Sequence, residues 1–233
     1  IEESLERLQW FFERGVRVMT LVWNNHLEWV RSCQPDAGSN VPAGLSDFGR
    51  RVVRRMNELG MVVDLSHAGR DSFFQALDAT TKPVIASHSG CTAIHEHPRN
   101  LDDEQLRELA ADNGVVGIVF CTPFLDAEAR AEENRWRETP EYKALGGAND
   151  TERFLAQSEY LQHHAKPLSI ERVLDHVCHA VEVAGIDHVG IGSDFDGIQR
   201  APQGLESAAC YPALAAGLTR RGFAPDERGK ILG

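Results

Sequence analysis

Two segments decide the fold of this chain: MVVDLSH at residues 61–67 and PVIASH at residues 83–88. Each begins as an apolar run and ends in a serine followed by a histidine. Short continuous apolar runs are typical of strands that are buried on both faces of a parallel sheet. Residues 70–79, which lie between the two segments, have helical spacing of apolar side chains. The stretch therefore predicts a β-α-β unit.

The same alternation of strands and helices extends in both directions. Further strands are predicted at 16–23, 114–120 and 188–194. Further helices are predicted at 2–14, 47–59, 102–113, 169–184 and 205–220, with a short one beginning near Pro225. Ser46 and Gly60 flank the helix at 47–59 as an N-cap and a stop. Five strands that alternate with helices predict an α/β fold with a parallel sheet.

Two segments do not follow the alternation. Residues 35–45 are rich in proline, glycine, serine and asparagine and are predicted to form a loop. Residues 126–166 are rich in charged side chains and are predicted to form a helical excursion from a loop between a strand and the next helix. The excursion is either a solvated surface insertion or a lid over a site, because long excursions often serve as lids.

The composition excludes several classes of function. The 233 residues are 42% hydrophobic and 25% charged, which is enough apolar material for a sizeable core. A net charge of −11 argues against nucleic acid as a partner, since binding phosphates requires a positive field. The chain contains no apolar run of the roughly 20 residues that span a bilayer. Its five scattered cysteines lack a Cys-x-x-Cys pair, so we expect a reducing, cytoplasmic compartment.

Three predicted strands end in a residue that can perform chemistry. His67 and His88 end the two deciding strands, and Asp194 ends the last one, in GSDFDG. The carboxyl ends of parallel barrel strands meet at one rim, where active sites lie. A lone histidine after a strand is more often a structural residue, but two imidazoles and a carboxylate at matching positions favour a metal site that activates water. Asp196 either joins this site or forms the turn.

A loop after the second of these strands carries HPRN, which ends at Asn100. Arg99 in this loop has a planar guanidinium that suits a carboxylate. The residues alone leave two alternatives open: Arg99 binds a substrate carboxylate, or it forms a surface salt bridge or a structural clamp of the loop. His95 and His97 are two residues apart and are not predicted to be ligands.

The remaining histidines and serines carry weaker signals. His163 and His164 lie in the charged excursion, and His176 and His179 share a helix face without a His-Glu-x-x-His pattern. His188 precedes its strand, at the opposite end of the sheet from the proposed rim. The serine in the Ser-His pair at 87–88 is expected to point away from its neighbour, because adjacent strand residues face opposite ways. No phosphate-binding glycine loop and no Gly-x-Ser-x-Gly turn occurs in the sequence.

Taken in order, the segments GMVVDLSH, KPVIASHS, HPRN, GVVGIVF and DHVGIGSDFDG resemble the membrane (renal) dipeptidase family of zinc peptidases, family M19. The similarity extends from GVRVMTLVWNN to GLTRRGFAPDERGKILG. The resemblance implies a TIM-type (β/α)8 barrel of the metal-dependent hydrolase type with two zinc ions. It also implies hydrolysis of dipeptides, often with tolerance of a D-residue at the C-terminal position.

The resemblance also implies roles for individual residues. His67 and His88 look like the two histidine ligands of one zinc ion. Asp194 looks like the catalytic acid that relays a proton from the water between the metals. Arg99 looks like the residue that grips the carboxylate of the substrate. Trp23 stands where many members have a histidine that helps to polarise the scissile carbonyl, and its indole N–H can donate one hydrogen bond to a substrate.

Part of the family's metal site is not visible in this sequence. Members usually supply a His-x-Asp pair from the first strand and a bridging glutamate from the third, and no His-x-Asp occurs here. The five predicted strands therefore correspond to strands 4–8 of the barrel. We accordingly interpret residues 1–233 as one partial barrel domain that lacks the N-terminal strands.

The function expected from this comparison is zinc-dependent hydrolysis of dipeptides. A metal-bound hydroxide would attack the peptide carbonyl while Asp194 relays the proton and Arg99 holds the substrate carboxylate. The expected partner is a small dipeptide, and a homodimer is possible. The alternatives are another metal-dependent amidohydrolase, or a degenerate or truncated barrel module without catalysis.

Overall fold

The computed structural model of the protein describes residues 1–35, 41 and 43–233. Five parallel strands form one sheet in which spatial order equals sequence order. The strands are β1 (Val18–Thr20), β2 (Val62–Asp64), β3 (Ile85–Ser89), β4 (Val115–Ile118) and β5 (Val189–Ile191). This is the strand order of a barrel segment, so the α/β prediction with five parallel strands is confirmed. The predicted loop at 35–45 includes residues 36–40 and 42, which lie outside the described residues.

The helices follow the strands as the sequence predicts. They are α1 (Leu5–Glu13), α2 (Asp47–Leu59), α3 (Arg70–Ala79), α4 (Asp103–Ala111), α5 (Thr122–Leu125), α6 (Ala127–Arg137), α7 (Pro140–Lys143), α8 (Asp150–His164), α9 (Glu171–Ala184), α10 (Tyr211–Arg220) and α11 (Pro225–Leu232). The side chain of Ser46 accepts a hydrogen bond from the backbone N–H of Gly49, and Gly60 ends α2 with φ of 78°. Both caps are those that the sequence predicts.

The strands are shorter than the apolar runs that predict them. The segment 61–67 gives a strand of three residues, although the N–H of Leu65 still bonds the carbonyl of Ile85 at 2.7 Å. Pairing then stops because His67 adopts a positive φ of 69°. The polar ends of these segments therefore leave the sheet and turn into its rim.

The carboxyl rim of the sheet is closely packed at the centre. A Cβ atom added to Gly117 or to Gly192 would overlap the backbone carbonyl oxygen of Ser87. Strands β3, β4 and β5 therefore approach each other more closely than a side chain would permit. This contact sets the spacing of the strand ends that carry His88 and Asp194.

The core lies between the sheet and the helices that cover it. Large side chains with essentially no exposure come from α2, α3, α4 and α9 and from the strand ends; they include Met56, Phe73, Leu106, Phe120 and Leu174. Burial of one such side chain stabilises the fold by about 1.5–3 kcal/mol. The helices therefore pack against one face of the sheet across all five strands.

The segment 126–166 forms α6, α7 and α8, and one face of it is buried. Glu133 of α6 has an exposure of 0% and accepts hydrogen bonds from Arg137, at 3.0 Å, and from Thr122. Its other partner is Arg200, whose Nη1 lies 3.0 Å from Oε1. Arg200 also donates to the backbone carbonyl of Lys166 at 2.7 Å. This buried network joins the excursion to the loop that follows β5.

Replacement of Glu133 by alanine is expected to lower the free energy of unfolding by about 3–5 kcal/mol, because it leaves the guanidinium of Arg200 buried without its carboxylate. Chemical denaturation measures this change. Glu138→Ala is the matched control, since Glu138 lies on the surface and forms an exposed ion pair with Lys143. An equally small effect of both substitutions would show that the network does not hold the excursion in place.

Candidate active site at the carboxyl rim

The carboxyl rim carries a cavity of about 580 Å³. All five residues that the sequence singles out line it: Trp23, His67, His88, Arg99 and Asp194. His88 lies near the end of β3, and the other four lie in loops that follow β1, β2, β3 and β5. The fold therefore brings together side chains that are as much as 171 positions apart, from 23 to 194 in the sequence.

The two histidines face each other inside the cavity. The Nε2 atoms of His67 and His88 are 3.0 Å apart, and the ring centroids are 5.0 Å apart. Two nitrogen ligands of one tetrahedral zinc ion lie about 3.3 Å apart, because each metal–nitrogen distance is about 2.0–2.1 Å. The spacing of the two rings thus fits ligands of a single ion.

The opposite nitrogen of each ring has a hydrogen-bond acceptor. The Nδ1 of His67 lies 3.0 Å from the side-chain oxygen of Asn24, which can only accept. The Nδ1 of His88 lies 2.7 Å from the hydroxyl of Ser87, which in turn donates to the Asp64 carboxylate at 2.7 Å. Both Nδ1 atoms are therefore assigned as the protonated ones. This assignment leaves a lone pair on each Nε2.

Two lone pairs at this distance repel each other unless a cation lies beside them. The donor set is thus suited to a divalent metal, with Asn24 and Ser87 holding the rings in the ligating tautomer. Within the part of the chain that the structure describes, no group of three or more His, Cys, Asp or Glu side chains could hold a metal. Among the described residues, His67 and His88 are therefore two candidate ligands without a third.

The electrostatic environment keeps both imidazoles neutral. Burial is the largest cause, followed by the positive charge of Arg99, and together they lower the pKa of His67 to about 3. The same two causes lower the pKa of His88. Neutral imidazole is the form that binds metals, so ligation does not compete with protonation near neutral pH.

The carboxylate of Asp64 lies beneath the two histidines. It is 2% exposed and accepts hydrogen bonds from the backbone N–H groups of Ser66, at 3.0 Å, and Ser87, at 2.9 Å. The hydroxyls of Thr20 and Ser87 donate to its other oxygen at 2.6 and 2.7 Å. Asp64 therefore fixes the strand ends that carry both rings, a role for which the sequence carries no local signal.

Asp194 occupies the far side of the cavity in a constrained conformation. Its φ is 60°, and the N–H of Gly197 donates to its backbone carbonyl at 3.0 Å. A Cβ on Gly197 would overlap the Asp194 carboxylate, so a side chain at this position would displace that carboxylate. Positive φ values at both His67 and Asp194 place local backbone strain at the site, where such strain often accompanies function.

Burial raises the pKa of Asp194, and the nearby charge of Asp196 raises it further, while the charge of Arg99 opposes the shift. A carboxylate that must accept a proton is inactive once protonated, so a raised pKa moves the acid limb of the activity profile to higher pH. Asp196→Asn removes one cause of the increase. We therefore expect this variant's acid limb to lie at lower pH than that of the wild type, as measured by kcat/KM against pH. An acid limb that moved to higher pH in Asp196→Asn would contradict the assignment of this limb to Asp194.

Arg99 forms the wall of the cavity beside His88. It is 3% exposed, and its Nη2 donates to the backbone carbonyl of His88 at 3.2 Å. Its Nε is buried and has no partner among the described residues. Its guanidinium carbon lies 5.4 Å from the ring centroid of Phe124. Arg99 thus stabilises the loop through one nitrogen, and its other N–H groups can still donate hydrogen bonds to a ligand.

Trp23 forms the outer edge of the cavity. Its side chain is 67% exposed, and its ring centroid lies 6.2 Å from that of His67. A large apolar side chain that remains exposed at a cavity mouth is suited to contact a bound molecule.

The structure corrects one sequence expectation and clarifies another. Ser87 was expected to point away from His88, but its hydroxyl hydrogen-bonds the Nδ1 of that ring, because Nδ1 lies close to the backbone and within reach of the preceding side chain. His176, left unassigned, is fully buried and bonds the N–H of Cys91 at 2.9 Å and the carbonyl of Leu125 at 3.0 Å. It is a structural histidine with both nitrogens satisfied.

A parallel sheet of barrel order that carries paired imidazoles at its carboxyl rim is the arrangement of a metal-dependent α/β-barrel protein. The sequence profile of the membrane dipeptidases, peptidase family M19, matches residues 1–233. This chain belongs to the membrane dipeptidase family.

Curated relatives are similar over nearly the whole chain. An uncharacterized dipeptidase of Schizosaccharomyces pombe is 33% identical over 228 residues, which are 98% of this chain and 46% of the relative. Dipeptidase tcpJ of Claviceps purpurea is 35% identical over 226 residues, which are 97% of this chain and 44% of the relative. The chain thus spans less than half the length of these curated relatives.

Solved structures show the same fold. A metallo peptidase from Rhodobacter sphaeroides, liganded with a phosphinate mimic of the dipeptide L-Ala-D-Ala, is 28% identical with a TM-score of 0.76. The match covers 98% of this chain and 56% of that one. The probable dipeptidase PvdM from Pseudomonas aeruginosa is 24% identical, with a TM-score of 0.80 over 99% of this chain and 63% of that one, and supports the fold alone. Among the described residues, no helix has the length and apolarity needed to cross a membrane.

Proposed function

We propose that this chain forms the substrate-binding and proton-transferring part of a zinc-dependent dipeptidase. The observation that carries the proposal is the pair of Nε2 atoms 3.0 Å apart, in one cavity with a carboxylate and a buried guanidinium. Such a combination can hold a metal, move a proton and bind a carboxylate. The relatives that are named dipeptidases support the same activity.

His67 and His88 are the residues that would hold one zinc ion. When bound, zinc supplies Lewis-acid activation of water and of the substrate carbonyl. We further propose that two ions bind in the complete protein, and that the remaining ligands come from outside these 233 residues. The orientation and tautomer of the two rings are fixed by hydrogen bonds. Asn24 binds the His67 ring, and Ser87, held by Asp64, binds the His88 ring.

Asp194 is the proposed proton relay. Its carboxylate accepts a proton from the attacking water and delivers it to the nitrogen of the departing amine. Because burial raises its pKa, the carboxylate is a better match for proton transfer near neutral pH than an exposed aspartate would be. The turn closed by Gly197 holds this side chain toward the cavity.

Arg99 is the proposed site for the terminal carboxylate of the substrate. Its unpartnered Nε and its planar geometry allow a bidentate interaction with two oxygens. A carboxylate held at this depth limits the length of peptide that can also reach the histidines, so short peptides are favoured. Trp23 contacts the bound substrate from the mouth of the cavity.

The direct test is hydrolysis of dipeptides by the complete protein that contains this chain. We expect turnover of dipeptides, loss of turnover after treatment with a chelator, and recovery when zinc is added back. Tripeptides and dipeptide amides serve as matched controls and should be poor substrates. A protein that cleaved none of these peptides while retaining zinc would instead favour a metal-dependent amidohydrolase with another substrate.

A further inference from the structure

We propose that Arg130 determines substrate specificity by binding the side-chain carboxylate of an acidic C-terminal residue, so that the preferred dipeptides end in aspartate or glutamate. This inference rests on the proposed dipeptidase function and adds a substrate class to it. Arg130 lies on α6, in the excursion whose role the sequence left open between a surface insertion and a lid.

Arg130 lies where the main cavity continues beneath the excursion. It lines the 580 Å³ cavity and also an adjoining one of about 400 Å³. The adjoining cavity extends along α6 past Asn134 and Arg137 to Gln199, and Phe154 of α8 borders it. The polar side chains of this adjoining cavity include two arginines and two amides, set among the apolar Pro123, Phe124, Phe154 and Ile198. Its charged groups are therefore suited to bind a carboxylate rather than a cation.

Arg130 has no hydrogen-bond or ion-pair partner among the described residues, although it is half-buried. The neighbouring Arg137 differs, because it is held by Glu133 and Gln199 at 3.0 Å each. A guanidinium that is half-removed from water without a counter-charge is unfavourable, and an anionic ligand would relieve that cost. The unpartnered cation beside the catalytic cavity is therefore suited to a substrate group.

The position of Arg130 relative to Arg99 indicates which part of the substrate it meets. Both arginines line the cavity beside His97 and Phe124, whose ring centroids are 4.4 Å apart. Burial and then the charge of Arg130 lower the pKa of His97 to about 3, with a smaller effect of Arg99, so both charges lie within electrostatic reach of this ring. The residue whose α-carboxylate sits on Arg99 would therefore direct its side chain toward Arg130.

Ion pairs and hydrogen bonds hold α6 near both of its ends, which makes a contact between Arg130 and a substrate carboxylate specific. At its first turn Asp126 caps the helix and pairs with Arg172 at 2.7 Å. Toward its C-terminal end, α6 is held to the loop after β5 by two contacts. Glu133 pairs with Arg200, and Arg137 donates to Gln199. A guanidinium on a helix fixed at both ends is preorganised, so little ordering is required on binding.

The experiment compares two isosteric substrates, Ala-Glu and Ala-Gln, in the complete zinc-loaded protein. We expect a higher kcat/KM for Ala-Glu in the wild type, and a drop of about tenfold in the Ala-Glu/Ala-Gln ratio in Arg130→Gln, as for loss of one charge-assisted interaction at a partly exposed site. Arg135→Gln is the matched control, because Arg135 lies on the same helix but is exposed and outside both cavities. It should keep the wild-type ratio. An unchanged ratio in Arg130→Gln would overturn the inference.

Binding without turnover separates this inference from the proposed function. Ala-Glu and Ala-Gln are titrated by calorimetry into chelator-treated wild type and Arg130→Gln. Tighter binding of Ala-Glu that disappears in Arg130→Gln supports the carboxylate subsite, even if the zinc-loaded protein proves unable to hydrolyse dipeptides. Equal binding of the two peptides by the wild type would overturn the subsite, even if both are hydrolysed.

Discussion

Replacement of Asp194 by asparagine is expected to reduce kcat for dipeptides by about 10²- to 10⁴-fold, the usual contribution of a positioned general acid–base. The amide keeps the size of the side chain but cannot accept the proton of the attacking water. Asparagine also tolerates the positive φ of this position, so the turn closed by Gly197 should persist. Steady-state kinetics with a neutral dipeptide measures the effect.

The control for this substitution is Asp196→Asn, which changes an exposed carboxylate two residues away. Its kcat on the alkaline plateau should remain near that of the wild type. Zinc content should be the same in both variants, because neither residue is a proposed ligand. Near-normal turnover of Asp194→Asn would remove this residue from the mechanism and leave the proton relay without a candidate in the described cavity.

Replacement of Arg99 by glutamine is expected to lower kcat/KM for free dipeptides by about 100-fold or more, since losing one partner of a buried charge pair costs about 2–5 kcal/mol. The affected interaction is the one with the terminal carboxylate of the substrate. Arg99→Lys should recover only part of the loss, because an ammonium cannot form the two parallel hydrogen bonds. The measurement is kcat/KM for both variants and the wild type.

Dipeptide amides distinguish substrate binding from bracing of the loop. The wild type should prefer the free acid to the amide strongly, and Arg99→Gln should lose most of that preference. If instead both substrates fell by the same factor, the hydrogen bond from Arg99 to the carbonyl of His88 would be the main role of this residue. The other alternative from the sequence, a structural clamp, would then be correct.

The fold could be predicted because its signals are local. The bounds of α2 and α3 coincide with the predicted 47–59 and 70–79, since a serine cap, a glycine stop and helical spacing mark them. The strand lengths could not be predicted, because each strand ends where residues at the rim, such as His67, stop hydrogen-bonding to the neighbouring strand. That departure depends on contacts with Asn24 and His88, which no local pattern encodes.

The sequence singled out candidate residues where chemistry coincides with a strand end, and gave no signal for the others. His67, His88 and Asp194 were predicted because each follows an apolar run, and the structure places them in one cavity. Asp64 was overlooked, since its role depends on four hydrogen bonds, three of which come from residues of two other strands. The proposed role of Arg130 could not be predicted, because the charged composition of 126–166 gives no sign of which side chain lines the cavity.

The central claim is that His67 and His88 hold a metal ion together, and zinc content per chain tests it most directly. Elemental analysis should be performed on the complete protein, on the His67→Ala/His88→Ala double variant and on His163→Ala/His164→Ala, which changes two exposed histidines of α8. We expect two zinc ions per chain in the wild type and in the surface variant, and at most one in the double variant. An undiminished zinc content in the double variant would contradict the claim.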